Sequence, residues 1–190
     1  MSLASDQDFL AELLYDTEKQ LADFNDIIPF KYNKNVFSPR LVNLHLTTCS
    51  QIEALCGLFI TELNLMGPSG NGMKDVMLEL DVNGVLSNMK IDWYSLGETF
   101  SPFTTGYDWW VKYNKTKHKM VAEAKNLKYS DVANGLAALA GLHRLASAMR
   151  LYVYTKNDIL DKTKWVQDGG DRFVTKLFVI DTMFFSQRKP

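Results

Sequence analysis

The densest group of reactive side chains in the chain is Trp109-Trp110-Val111-Lys112-Tyr113-Asn114-Lys115-Thr116-Lys117-His118-Lys119. Four lysines, one histidine and three aromatic residues share these eleven positions. A histidine titrates near neutrality and serves as either acid or base. Cleaving RNA without a metal needs a base for the 2′-hydroxyl proton, an acid for the leaving oxygen, and cations or donors for the phosphorane oxygens. His118 suits the first two roles and the lysines suit the third. An amide such as Asn114 orients the histidine or holds a phosphate oxygen. On a helix, Asn114 and His118 lie one turn apart on one face, and Lys115 and Lys117 flank that line. The plainer reading is a solvated lysine face, with Trp109 and Trp110 anchoring the opposite side in the core.

The string Tyr113-Asn114-x-x-Lys117-His118 sits in a helical chain and precedes an alanine-rich helix. In this it resembles the HEPN superfamily of helical bundles, whose motif is Arg-x-x-x-x-His, often with a polar residue such as Asn after the Arg. The resemblance covers residues 107–150. It implies a metal-independent ribonuclease of toxin or phage-defence type that cuts by 2′-hydroxyl attack and uses no cofactor. It also implies RNA as substrate, an antitoxin or other protein as partner, and a homodimer in which two motifs form one composite site. By position, His118 matches the family's histidine and Asn114 its polar residue, with Lys117 and Lys115 stabilising charge. Lys112, Tyr113, Lys115, Trp109 and Trp110 are the implied substrate contacts. Tyr113 stands where the Arg belongs, and Lys112 or Lys117 offers only a point charge in place of its bidentate fork. Two readings from another class stand beside this one: a noncatalytic helical interaction module, and a ligand pocket built from Trp93, Trp109 and Trp110.

These residues must be positioned by helices. Ser5, with Asp6 and Asp8 behind it, reads as the start of a helix carrying Leu10, Leu13, Leu14, Thr17, Leu21 and Phe24 on one stripe, ending near Asp26. Residues 30–38 read as an extended or looped connection. Ser38-Pro39 opens a long helix through Ile52, Leu55, Cys56, Phe59, Leu63 and Met66, with a stop at Gly67-Pro68. A third helix is expected over Met73 to Met89, an ordered loop over 91–106, and a helix over Tyr107 to Met120. Ser130 reads as the cap of an alanine- and glycine-rich helix that another helix approaches closely. In the tail, Phe173, Leu177, Ile180 and Phe184 fit a helix, and Leu177-Phe178-Val179-Ile180 fits a buried strand equally well. The expected fold is an all-α, largely antiparallel bundle of about five main helices, with room for a minor β element near the C-terminus. Residues 1–190 are taken as one domain, with 165–190 as a C-terminal appendage.

Composition narrows the classes. A hydrophobic fraction of 46% supports a packed core and excludes wholesale disorder. A net charge of −1 gives no global attraction to nucleic acid or anionic membrane, so any such contact is local. No run is apolar enough for a membrane span, and no secretory leader is evident. Two cysteines, Cys49 and Cys56, make no disulfide framework and suit a reducing, cytoplasmic setting. His45, Cys49 and Cys56 share a stripe that invites a zinc reading, yet Ile52, Leu55 and Phe59 mark it as a core face, so no metal is assigned. His143, on the apolar face of the alanine-rich helix, reads as a core histidine.

Overall fold

A computed structural model describes residues 3–69, 72–81, 84–104, 106–156, 173–174 and 177–180. The fold is all-α with a minor β element. Helix α1 spans Leu3–Ile27, α2 Phe30–Asn33, α3 Pro39–Leu63 and α4 Met73–Leu80. After the β1–β2 hairpin (Ile91–Trp93, Glu98–Phe100) come α5 (Asp108–His118), α6 (Met120–Glu123) and α7 (Tyr129–Lys156). Strands β3 (Phe173–Val174) and β4 (Phe178–Ile180) complete an antiparallel sheet of order β2-β1-β4-β3.

The core is the meeting of α1, α3 and α7. Leu10, Leu14, Leu21 and Phe24 of α1 are buried, as the stripe predicts. Ser38 caps α3 by accepting from the Arg40 N–H at 3.2 Å, with Pro39 in the first turn. Helix α7 is nearly all buried from Val132 to Ala146, and its small residues let neighbours approach. A Cβ on Gly135 would lie 3.3 Å from the His45 ring of α3. One on Gly141 would lie 2.7 Å from Met89 Sδ and 3.0 Å from Ile91. So Gly135 admits α3, while Gly141 admits the segment leading into the sheet.

Several boundaries differ from the sequence reading for local reasons. α3 stops at Leu63 because Asn64 takes a left-handed cap (φ 50°), ahead of Gly67-Pro68, and Met66 is left exposed. α4 ends at Leu80 rather than near Met89, and the Asp81 carboxylate accepts from the N–H groups of Leu86 and Ser87 to organise the turn that follows. The connection at 30–38 contains the short helix α2. Within the expected loop at 91–106, Ile91 and Trp93 alternate with Asp92 and form a strand.

That strand pairs with β4, which resolves the helix-or-strand ambiguity of the tail in favour of a strand. Phe178 and Ile180 are fully buried, so the described part of 165–190 packs into the common core. The remaining positions of that stretch lie outside the described residues. Phe24, Tyr129, Phe30, Trp93, Phe100 and Phe178 form a chain of ring contacts 4.9–6.4 Å apart that ties α1, α2, α7 and the sheet together.

Candidate functional site

Helix α5 starts from Tyr107 in a left-handed conformation (φ 49°) and carries Asp108 in its first turn. Its inner face is Trp109, Trp110, Tyr113 and Thr116, all buried. Two bonds fix its first turn. The Trp109 indole N–H donates to Pro102 O at 2.8 Å, and His45 Nε2 lies 3.0 Å from Trp109 O. Burial lowers the His45 pKa to about 4, so the ring is neutral near pH 7 and donates through Nε2.

The outer face divides into two groups. Lys112 pairs with Asp131 Oδ2 at 2.7 Å, and the same oxygen accepts from the Lys128 N–H, capping α7 in place of the expected Ser130. The Tyr113 hydroxyl donates to Glu53 Oε2 at 2.8 Å. Lys117 Nζ reaches both oxygens of Glu53 at 3.1 and 3.2 Å and sits 5.2 Å from the centre of the Tyr113 ring. Burial raises the Tyr113 pKa, while the Tyr113 hydroxyl and Glu53 raise that of Lys117. Three of the expected site residues therefore hold α5 to α3 and α7.

Lys115, His118 and Lys119 form the second group. They are exposed at the C-terminal end of α5, and no ion pair or hydrogen bond engages their side chains among the described residues. Asn114 is half-buried one turn before His118. The carbonyl-rich end of the helix favours a cation there. Met120 and Val121 follow immediately, 49% and 99% exposed, so the cationic end continues into an apolar edge.

No family model, curated protein or solved structure matches this chain.

A concavity among the described residues lies at the opposite end of α5. It is a half-open cleft of about 190 Å³ lined by Ser101, Pro102, Thr104, Asp108, Trp109, Asp131 and Asn134. Of the three tryptophans proposed for a pocket, only Trp109 lines it. Trp93 packs instead with Phe30, Phe100 and Phe178.

His45 and Cys49 do meet, at 3.8 Å. Burial pushes both thiols up, Cys56 to about 12, so neither is a thiolate nucleophile or a ready metal ligand near neutral pH. Among the described residues no group of three candidate ligands gathers for a metal. His143 is buried and its pKa is lowered to about 4. Among the described residues its Nε2 has no partner.

Sequence reasoning missed Glu53. A lone carboxylate in the middle of a long helix carries no signal until α5 is laid parallel beside it. Asp131 follows Ser130 in the first turn of α7, and nothing local in the sequence signals its pairing with Lys112.

Proposed function

We propose that the chain is a noncatalytic helical interaction module, whose contact edge is the exposed end of α5 and the turn of α6 behind it. One observation carries this reading. Tyr113, at the position where the resembled motif needs a guanidinium, is buried with its hydroxyl on Glu53, and Lys117 closes on the same carboxylate. A phenol held this way cannot clamp a phosphate, and a lysine already paired offers little charge to a transition state. What stays available is Lys115, His118 and Lys119 beside Met120 and Val121. That combination suits a protein surface with an apolar centre rimmed by carboxylates.

A photo-crosslinking residue at position 121 should capture one defined partner in the source cells, and Lys119→Glu should abolish the adduct. An adduct-free result, or adducts indifferent to Lys119→Glu, would remove this edge from the argument.

A second reading keeps the ribonuclease. It is favoured by the exposure of His118 near Lys115 and Lys119, two lysines that no described residue pairs, at the C-terminal end of α5. His118 would then act as acid or base in 2′-hydroxyl attack, with Asn114 orienting and Lys115 stabilising charge. Mixed-sequence RNA incubated in EDTA with wild-type protein and His118→Ala separates the two. The module reading expects no cutting beyond that of the variant. Cutting that His118→Ala loses would establish the second reading instead.

A further inference from the structure

The pole of the bundle where α1 ends and α3 and α7 begin carries a different surface. It is built on residues 27–40. This segment is rigidly fastened. Phe30 N–H donates to Asn25 Oδ1 at 2.8 Å, and Asn33 Nδ2 donates to Pro29 O at 2.8 Å. The Tyr129 and Ser130 N–H groups at the start of α7 donate to Val36 O and Lys34 O at 2.9 and 3.0 Å. Phe30 is buried and Val36 partly so, and these two anchor the segment to the core.

Tyr32 and Phe37 do not take part in that anchoring. Tyr32 is 78% exposed and Phe37 44% exposed on this fixed backbone. Cations are interleaved with them. Lys31 Nζ lies 5.6 Å from the centre of the Tyr32 ring, Arg40 is exposed at the start of α3, and Lys128 is exposed next to the residue that bonds Val36. Lys34 is neutralised by Glu98 at 2.8 Å, and Asp26 on the last turn of α1 is an exposed opposing charge. Among the described residues no carboxylate pairs with Lys31, Arg40 or Lys128; Lys31 lies beside Tyr32, Arg40 lies 5.9 Å from the centre of the Phe24 ring, and Lys128 has neither kind of partner.

Exposed rings carried on a fixed backbone among cations are what single-stranded nucleic acid needs. Bases stack on aromatic faces whatever their identity, and lysines and arginines follow the phosphates. The exposed side chains here are aromatic and offer faces for stacking, which the aliphatic Met120 and Val121 of the α5 edge do not. We infer that the Lys31–Tyr32–Phe37–Arg40–Lys128 surface binds single-stranded nucleic acid without strong sequence preference. It lies apart from the α5 edge, so the two surfaces are separable by mutation.

The test is fluorescence anisotropy of a labelled oligouridylate of roughly twelve nucleotides with the full chain, at about 50 mM salt. Saturable binding is expected, weakening as salt rises. Tyr32→Ala should raise Kd about fivefold or more, as loss of one stacked base does, and Tyr32→Phe should restore it. Lys31→Ala and Lys128→Ala should each weaken binding and flatten its salt dependence. Because these side chains are exposed, unchanged thermal melts should confirm that the variants fold. Three results would overturn the inference: no saturable binding, Tyr32→Ala binding as tightly as wild type, or a polyglutamate peptide competing as well as unlabelled RNA. Binding that depends on Lys115 and Lys119 but not on Tyr32 would also overturn it, by moving the contact to α5.

Discussion

Removing one oxygen at Tyr113 probes how the site segment is used. In Tyr113→Phe the ring stays packed 5.0 Å from Trp110, so no cavity forms, and the change is confined to the 2.8 Å bond to Glu53. A hydrogen bond to a charged group contributes about 1.5–3 kcal/mol when both partners are dry. Here Glu53 keeps Lys117, and its side chain is 33% exposed, so water replaces part of the loss. The expected cost is about 1–1.5 kcal/mol. In a chain of this size that lowers Tm by about 2–6 °C.

The assay is urea unfolding of wild type, Tyr113→Phe, Glu53→Ala and the double variant. The cycle should return a coupling of about 1 kcal/mol between the two residues. Lys117→Met in the same background should lose less, since that pair is more exposed. A Tyr113→Phe variant as stable as wild type, with no coupling to Glu53, would refute the claim that this motif is used to fasten α5 to α3. The noncatalytic reading would lose its main support with it.

Three further outcomes follow from the same geometry. His45 and His143 have folded pKa values near 4 against 6.5 for the free side chain, so the unfolded chain binds more protons between these values. Stability from both is fully present above about pH 6.5 and is lost as pH falls towards 4, with a slope of about 1 kcal/mol per pH unit for each histidine; denaturant midpoints across that range measure it, and a flat profile would contradict the burial of both rings. Asp131→Ala removes the bond to the Lys128 N–H and the Lys112 pair together, and should cost about 2 kcal/mol by urea unfolding, with Asp131→Asn losing roughly half. Cys49 and Cys56 are fully buried and held as thiols, so a thiol reagent should label neither in the native protein and both after unfolding.

The helices were legible because their signals are local. Apolar residues at three- and four-residue steps fix which face of α1 and α3 is buried, and Ser38-Pro39 marks a start without reference to anything distant; α7 is instead buried nearly all round from Val132 to Ala146. The inward turn of Trp109 and Trp110 belonged to the plainer reading of their segment, and the burial of the stripe holding His45, Cys49 and Cys56 was marked by its apolar neighbours; the burial of Tyr113, expected as a substrate contact, was not foreseen. Of the strands only β4 was foreshadowed, as one of two readings of the tail, and the β1–β2 hairpin was not legible. Ile91-Asp92-Trp93 is three residues long, and only pairing with Phe178–Ile180, far along the chain, makes it a sheet.

The fate of the lysines lay beyond the sequence for a related reason. Lys112, Lys115, Lys117 and Lys119 are alike in sequence, and whether each is free depends on which carboxylate the packing brings within reach. α3 supplies Glu53 to Lys117, α7 supplies Asp131 to Lys112, and no described residue pairs with Lys115 or Lys119. The sequence alone determined that a cationic, aromatic helix would stand on a helical core. Only the tertiary structure decided which of its charges are spent on holding that helix in place, because an ion pair forms across space between residues that share no periodicity.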